Sequence, residues 1–308
     1  MGRKAKGRPL HGWLIVDKPS GMTSTAVVNR VRAMTNAAKI GHGGTLDPLA
    51  TGVLPLALGE ATKTVSYAMD GLKSYRFTVR WGEERTTDDR EGAVVKTSET
   101  RPTREAIEAA LPAFEGDIEQ VPPTYSAIKV AGERAYALAR ADKPVELQSR
   151  KVHIRKFTLA EIPDRDRAVF EVESGRGAYM RSLARDLGRA LGVLGHVAEL
   201  RRTRVGSFTE AQAISLENLA SVGHSEKVAA LLLPIETALD DIPALALTEA
   251  EARHLKRGQP VPVLPVVSRS PSKDLRQGAV VCAMSEGKPV ALARINGGEI
   301  RPLRVLYV

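Results

Sequence analysis

Apolar residues follow two different periods in two well-separated parts of the chain. Between residues 75 and 81 apolar and polar residues alternate, the pattern of a β-strand with one buried face. Between 179 and 191 apolar residues recur at helical spacing, and Arg181, Arg185 and Arg189 form a separate stripe. Both faces must be buried, and strands do not alternate regularly with helices. The sequence therefore predicts an α+β fold rather than a doubly wound sheet.

The remaining segments divide the chain into three predicted parts. Turn residues and local periodicity predict strands at 14–17, 152–159 and 169–173, a helix that Ser24 or Thr25 caps, a polar acidic loop at 83–92, and helices at 104–111, 133–140 and 226–239. After Pro243 a short helix (248–256) is followed by β-rich segments at 261–267, 279–285, 289–295 and 300–307. We therefore expect a flexible basic tail (1–9), a main domain (10–243) and a small β-rich domain (244–308).

Charge and cysteine content narrow the class of protein. The 308 residues carry a formal net charge of +9, which favours a polyanionic partner because Lys and Arg displace counterions from phosphates. The single cysteine, Cys282, allows no internal disulfide and offers no cysteine cluster for a metal. The sequence lacks an apolar stretch of transmembrane length, and its basic N-terminus is unlike a secretory signal. These features predict a cytoplasmic protein without a membrane partner.

A glycine-rich segment at 41–52, Gly-His-Gly-Gly-Thr-Leu-Asp-Pro-Leu-Ala-Thr-Gly, contains the strongest catalytic candidate. Asp47 in such a tight loop has the chemistry of a nucleophile or a base. The local sequence equally allows a structural turn in which Asp47 only bonds the backbone. A phosphate-cradling loop is disfavoured because the Gly-Lys-Ser/Thr ending is absent.

Several other residues could complete a site with Asp47. Arg181 begins the helix at 179–191 and could hold the aspartate through a bidentate bond, or simply belong to a solvated basic face. Tyr75 could stack under a nucleobase or pack in the core. His42 could fill a gap in a base stack or lie on the surface. The run Leu200-Arg201-Arg202-Thr203-Arg204 suits phosphate contacts.

Taken together, these segments resemble the bacterial TruB family of tRNA pseudouridine-55 synthases. The resemblance runs in order through most of the chain and rests on the segments 12–24, 41–52, 75–76, 120–129, 135–136, 177–188 and 196–202. It implies a pseudouridine-synthase core, with a mixed, largely antiparallel sheet flanked by helices, followed by a small PUA-like β-barrel domain. The C-terminal part matches least clearly.

The resemblance also implies roles for individual residues. Asp47 matches the essential aspartate, Tyr75 the tyrosine that stacks on the target base, and Arg181 the arginine paired with the aspartate. Other residues are implied to bind substrate or RNA. His42 takes the place of the flipped nucleotide, and Tyr179 and Leu200 lie in the pocket. Lys18, with Pro19, braces the loop, and the remaining residues of this group are Arg201, Arg202 and Lys129.

The expected function is isomerisation of uridine 55 in the T stem-loop of tRNA, by a monomer that uses no metal, cofactor or guide RNA. Two other classes stay open from the residues alone. A non-enzymatic RNA-folding protein would need the basic surface without Asp47. A glycosidic-bond hydrolase would need a second carboxylate, for which only Asp88 and Asp89 are candidates, and their loop is expected to be solvated.

Overall fold

A computed structural model describes residues 7–126, 128–130, 132–141, 147–222, 227–271 and 275–308. The larger sheet has the strand order β14-β1-β3-β12-β4-β11-β10-β7, with β2 also paired to β3 and β13 to β12. Only the pairs β1–β14 and β3–β12 of this sheet are parallel. The prediction of a mixed, largely antiparallel sheet is therefore confirmed.

The strands of this sheet are β1 (Gly12–Lys18), β2 (Ile40–His42), β3 (Thr51–Leu58), β4 (Lys73–Trp81), β7 (Gly116–Gln120), β10 (Arg150–Asp164), β11 (Arg167–Ser174), β12 (Gly195–Val205), β13 (Phe208–Thr209) and β14 (Ile214–Ser215). Two short ribbons pair β5 (Glu83–Arg85) with β6 (Val94–Thr97), and β8 (Lys129–Val130) with β9 (Glu133–Arg134). The helices are α1 (Ser24–Thr35), α2 (Val65–Asp70), α3 (Arg104–Ala110), α4 (Ala135–Arg140), α5 (Met180–Ala190), α6 (Leu216–Val222), α7 (Lys227–Ala230), α8 (Glu249–Lys256) and α9 (Val263–Arg269). None of the helices in these described ranges is long and apolar enough to cross a bilayer.

The main core lies between one face of the large sheet and the helices α1, α3, α5 and α6. Strand β4 alternates as predicted, and its inward residues Phe77 and Trp81 are buried. Phe170 of β11 stacks on Phe77 with ring centres 5.7 Å apart, and Phe157 of β10 lies 5.4 Å from Phe170. Helix α5 buries the apolar stripe that its period predicts, including Leu183 and Leu187.

The centre of the sheet is where strands β3 and β12 meet. These strands are paired only at Arg201–Thr51 and Arg202–Gly52, whereas β12 pairs with β4 along almost its whole length. Strand β3 therefore contacts β12 only through its first two residues and diverges from it beyond Gly52. This divergence places the loop before β3 next to the ends of β4 and α5.

A second, five-stranded sheet follows in the order β15-β17-β18-β19-β16. Its strands are β15 (Ala244–Ala246), β16 (Val261–Pro262), β17 (Val280–Ser285), β18 (Lys288–Asn296) and β19 (Glu299–Val305). It is joined to the large sheet by Leu306, which belongs to the same buried cluster as Trp13 and Phe208, and by a 2.7 Å hydrogen bond from Lys63 Nζ to the carbonyl of Val305. The expectation of a small β-rich C-terminal part is confirmed.

Four local predictions were wrong. The predicted helix at 226–239 is instead the single turn α7 and a 3-10 turn at Ile235–Leu239, because Pro234 has no N–H to continue a helix. The predicted strand at 261–267 becomes helix α9 after two residues. The loop at 83–92 begins with strand β5 and is largely buried around its aspartates. The cap of α1 is Thr23, whose hydroxyl accepts the N–H of Ala26 at 3.1 Å.

The N-terminal segment is also more ordered than a flexible tail over the part that can be described. The N–H of Arg8 donates to the carbonyl of Asn36 at 2.6 Å, and the N–H of Ala38 donates to the carbonyl of Arg8 at 2.9 Å. Gly7 has a φ of 128°, and a Cβ there would lie 2.7 Å from the carbonyl oxygen of Asn36. Residues 1–6 of the predicted tail lie outside the described ranges.

Candidate active site

The Asp47 loop connects β2 to β3, and glycine allows it to pass directly over β12. A Cβ on Gly52 would lie 2.2 Å from the carbonyl oxygen of Arg202, and the φ of Gly52 is +97°. Only glycine tolerates both the close approach and this left-handed backbone. The glycines of the 41–52 motif therefore set the distance between the loop and the centre of the sheet.

Two side chains hold the loop on either side of Asp47. The hydroxyl of Ser24, at the start of α1, accepts the N–H of Leu46 at 2.8 Å. The Lys18 ammonium, which is fully buried, donates to the carbonyls of Pro48 (3.1 Å), Met22 (2.6 Å) and Pro19 (2.9 Å). Burial lowers the pKa of Lys18 to about 8, although nearby Asp47 acts in the opposite direction.

These contacts agree with the bracing role that the resemblance implied for Lys18. They contradict its placement among residues that touch RNA, because the fully buried ammonium already has three carbonyl acceptors. The consequence is a rigid position for Asp47, whose neighbours at 46 and 48 are both fixed to other elements.

Arg181 lies against Asp47 as predicted, with Nε 2.9 Å from Oδ2. Its side chain is 3% exposed, so the alternative that Arg181 belongs to a solvated basic face is wrong. The Asp47 side chain is 33% exposed. The predicted bidentate bond is also wrong. The two terminal nitrogens of Arg181 donate to the carbonyls of Thr87 and Tyr125, each at 3.0 Å, and the Nε–H does not point at the carboxylate. The contact is an ion pair of fixed geometry.

A second aspartate shares this guanidinium. Asp89 is 3% exposed, and its Oδ2 lies 3.6 Å from Arg181 Nε. The other oxygen of Asp89 accepts the Thr87 hydroxyl at 2.5 Å and the N–H of Glu91 at 3.0 Å. Asp88, with a φ of 58°, turns the other way and its Oδ2 lies 3.0 Å from Arg185 Nη1.

The expectation that Asp88 and Asp89 are solvated is therefore wrong. The physical reason is charge compensation, because arginines buried along α5 require buried carboxylates close to them. Burial raises the pKa of Asp88, while Arg185 and Arg181 oppose that change. The signal in the sequence was the Thr-Thr-Asp-Asp-Arg-Glu-Gly run at 86–92 together with arginines every fourth residue on α5.

Arg202 and Tyr75 form the floor beneath the loop. The two residues are paired across β12 and β4, and Tyr75 is half-buried against the core. Arg202 is 1% exposed and donates to the carbonyls of Val53 (2.9 Å) and Gly44 (3.0 Å). Burial lowers its pKa, and Tyr75 and Asp47 oppose this change.

The two arginines of the basic run at 200–204 that were expected to contact phosphates have other contacts. Arg202 braces the loop from below, so its predicted contact with RNA is contradicted by its burial. Arg201 points to the opposite face and pairs with Asp17 at 3.1 Å and with Glu210, and 38% of its side chain is exposed. The alternation of a β-strand separates neighbouring residues in this way.

The other expected residues surround the same loop, with one exception. His42 ends β2, and its buried Nδ1 has no hydrogen-bond partner among the described residues. Burial, and secondarily Arg202, lower its pKa. Leu200 is 7% exposed and lines a cleft of about 530 Å³ with Leu49 and Phe77. Lys129 is the exception, because only its backbone, paired with Arg134, belongs to the described part of the chain.

Tyr179 is fixed by Gln120, whose role the sequence pattern did not indicate. Gln120, 2% exposed, accepts the N–H of Tyr179 at 2.8 Å and donates to its carbonyl at 3.1 Å. This amide sets the start of α5, and so the position of Arg181. Burial raises the pKa of the Tyr179 phenol, and Asp47 adds to the effect.

Groups of three or more His, Cys, Asp or Glu side chains suited to a metal ion are absent within the described ranges.

Two family models match consecutive parts of the chain. The first describes a TruB family pseudouridylate synthase (N terminal domain) and covers residues 32–180. The second describes a tRNA pseudouridylate synthase B C-terminal domain and covers residues 181–240. The junction between the two matches falls beside Arg181, so the residues brought together around Asp47 come from both.

Similar full-length proteins are named tRNA pseudouridine synthase B. The one from Rhodospirillum rubrum is 60% identical and the alignment covers 99% of each chain. The one from Gluconacetobacter diazotrophicus is 56% identical over 99% of this chain and 100% of the relative. The one from Caulobacter vibrioides is 52% identical over the whole of both chains.

Solved structures share the fold at lower identity. A chain from an H/ACA ribonucleoprotein bound to a substrate RNA containing 2'-deoxyuridine has a TM-score of 0.75 and 24% identity, over 100% of this chain and 92% of that one. A chain from an archaeal box H/ACA complex has a TM-score of 0.73 and 25% identity, over 99% and 92%. The likeness to the first extends along the whole chain, including the second sheet.

Proposed function

The chain belongs to the TruB family of pseudouridylate synthases, and we propose that it converts uridine 55 in the T stem-loop of tRNA to pseudouridine. The observation that carries the proposal is the partly exposed carboxylate of Asp47, fixed on both sides by its loop and 2.9 Å from the buried guanidinium of Arg181. The names of relatives more than half identical over their full length support the substrate.

The proposed reaction breaks the bond from N1 of uracil to the ribose, turns the base and rejoins it through C5. Asp47 begins it, and a carboxylate serves three routes: attack on the ribose, addition to the uracil ring, or removal of a ribose proton. Arg181 positions the carboxylate and offsets its charge. The product is an isomer of the substrate, so the reaction consumes no other group.

The target base must leave the RNA stack to reach this carboxylate. Extrusion costs a few kcal/mol, which stacking in the pocket offsets. We assign the stacking surface to Tyr75, because it lies half-buried on the core face of β4 across from Arg202. Leu200 supplies an apolar wall, and His42, whose pKa is lowered by burial, fills the gap left in the RNA.

The remaining assignments extend the proposal beyond the pocket. Residues 10–243 form the catalytic domain, and residues 244–308 form a PUA-like domain that contacts RNA through its own sheet. The protein acts in the cytoplasm as a monomer on tRNA alone, without a guide RNA. Purified chain and a tRNA transcript are therefore sufficient for turnover, and a requirement for an added guide RNA or protein would contradict this part.

The direct test replaces Asp47 with asparagine, which keeps the size of the side chain and removes its charge. The substrate is a T-arm RNA tritiated at uracil C5, because that hydrogen is released during isomerisation. We expect Asp47→Asn to abolish tritium release while RNA binding persists. The matched control is Asp117→Asn, since the Asp117 side chain is 75% exposed and its ion pair within the described ranges is with His153 alone.

Two outcomes would overturn the proposal. Normal tritium release by Asp47→Asn would show that this carboxylate is not catalytic, and an RNA-folding role would then account for the basic surface. Release of free uracil would indicate glycosidic hydrolysis instead. That reaction normally requires a second positioned carboxylate. The neighbouring Asp89 is 3% exposed and held by Thr87, which argues against this role.

A further inference from the structure

Positive charge is concentrated at the start of the chain. Residues 1–46 contain eight Lys and Arg residues and one acidic residue, Asp17, so this segment carries +7 of the total net charge of +9. One of the eight, Lys18, is buried beneath the Asp47 loop. The others within the described ranges are Arg8, Arg30, Arg32 and Lys39, which lie on α1 or on the backbone that flanks it.

Two of these basic residues, Arg8 and Arg32, line a concave surface beside α1. A groove of about 570 Å³ is bordered by Arg8, Asn29, Arg32, Ala33 and Asn36. At 100° per residue, Arg30 and Arg32 lie on opposite edges of the exposed helix face, with Asn29, Ala33 and Asn36 between them. The far wall is the segment around Arg8, held against the end of α1 by the hydrogen bonds to Asn36 and Ala38.

The side chains of Arg30, Arg32 and Lys39 are exposed and that of Arg8 is half-buried; in the described ranges Arg30, Arg32 and Lys39 form no ion pair with an acid. Arg32 makes one 3.4 Å contact, to the carbonyl of Ile40. Arg30 and Arg32, which have no acidic partner in the described ranges, supply many N–H donors beside Asn29 and Asn36 and little to repel an anion, which is the composition that phosphate oxygens require.

We propose that this α1 surface, defined by Arg8, Asn29, Arg30, Arg32, Asn36 and Lys39, is a second RNA-binding surface that contacts tRNA phosphates outside the catalytic pocket. The proposal rests on the proposed function, because it takes tRNA as the polyanion. Helix α1 begins at Ser24, which holds the Asp47 loop. At a rise of 1.5 Å per residue, Arg32 lies about 12 Å from Ser24 along the helix axis. Its contacts are with backbone phosphates and are independent of base sequence.

The test measures the equilibrium dissociation constant of a full-length tRNA transcript at several KCl concentrations. The test variant is Arg30→Gln with Arg32→Gln in the full chain. The control is Arg104→Gln with Arg165→Gln, which removes the same charge from two exposed arginines that pair with Glu108 and Asp166. Thermal unfolding of all forms verifies that each variant is folded.

Each lost phosphate contact lowers the slope of log K against log salt by about 1, so we expect the test variant to lose roughly 2 units of slope. Its affinity at 0.1 M salt should fall roughly tenfold or more. The control variant should keep the wild-type slope. Equal slopes for the test and control variants would overturn the proposal and make the surface an ordinary solvated face.

Two further measurements distinguish RNA binding at this surface from membrane binding and from catalysis. Binding to phosphatidylserine vesicles that is lost in the test variant, together with an unchanged tRNA slope, would assign the surface to a membrane and overturn the RNA proposal. Tritium release by the wild-type chain is measured in parallel. A wild type that shows the expected slope difference but releases no tritium would contradict the proposed function and leave the second RNA-binding surface standing.

Discussion

Helices α1 and α5 both carry arginines at close spacing, yet the two sets have opposite surroundings. On α5, Arg181 and Arg185 are 3% and 11% exposed, and each lies within 4 Å of two carboxylates. On α1, Arg30 and Arg32 are exposed and without an acidic partner in the described ranges. The stripe on α5 is the more regular one in the sequence, and its first two arginines are turned inward, whereas Arg189 is 64% exposed.

Spacing alone therefore does not separate an arginine that organises a site from one that attracts RNA. What separates them is the loop at 86–92, whose aspartates pack against α5 and neutralise it. Within the described ranges, neither Arg30 nor Arg32 of α1 forms an ion pair with an acid, and Asp17, the only acidic residue before Asp47 in the sequence, pairs with Arg201. Salt screens the attraction within a buried ion pair only weakly. The attraction between exposed charges and a distant polyanion decreases as the salt concentration rises.

The largest expected effect comes from removing the inward arginine closest to Asp47. Arg181→Met should lower the single-turnover rate by about 10³-fold, the upper range for loss of one preorganised electrostatic partner. The substitution leaves Asp47 without its cation and Asp89 buried without compensation. Rapid-quench measurement of tritium release under saturating enzyme would measure the loss.

A conservative variant sharpens this result. Arg181→Lys keeps the charge but cannot donate to Thr87 and Tyr125 while contacting Asp47, because a lysine lacks the planar fork. We expect it to lose most of the rate as well. A lysine variant with wild-type activity would show that charge alone matters and that the fixed geometry does not.

The next effect is on stability. Arg185→Met should lower the free energy of unfolding by roughly 3 kcal/mol, because it leaves Asp88 largely buried without a counterion. Urea unfolding would measure this loss, with Arg30→Met as the matched change on α1, where we expect less than about 0.5 kcal/mol. Combining Arg185→Met with Asp88→Asn should restore part of the lost stability. If it does not, the unpaired Asp88 is not the cause of the lower free energy of unfolding.

Lowering the pH should weaken the fold and leave the α1 surface charged. Burial lowers the pKa of His196 and of His42 below 6.5, so the unfolded chain binds protons that the folded chain does not. The stability that these two residues contribute is therefore complete above pH 6.5 and declines as the pH falls below that value. Urea unfolding at several pH values should show a shallower decline in His196→Gln. An unchanged decline would exclude His196 as a cause.

The smallest expected effect is that of one exposed arginine. Arg30→Gln alone should weaken tRNA binding severalfold at 0.1 M salt and lower the salt slope by about 1. Arg104→Gln, which removes an arginine paired with Glu108 on an exposed helix face, should change neither quantity. If the two single variants show the same tRNA affinity and salt slope, the α1 surface does not differ from other basic surface in tRNA binding.

Much of the fold and part of the site could be predicted from the sequence. Period-two alternation correctly predicted β4, and helical spacing correctly predicted α5, because both elements bury one continuous apolar face. The same reasoning failed at 226–239, where apolar residues continue but Pro234 ends the helix, and at 261–267, where valines in a helix gave the pattern of a strand.

The sequence singled out the Asp47 loop through its glycines at 41–52, and the resemblance to the TruB family paired that loop with Arg181 at the start of α5. Which charges are neutralised depends instead on tertiary packing. Asp88, Asp89 and the α5 arginines lie about ninety residues apart and meet only when the 83–92 segment packs on α5. Electrostatic partners are fixed by distances of a few ångströms in space, and local sequence patterns carry no information about those distances.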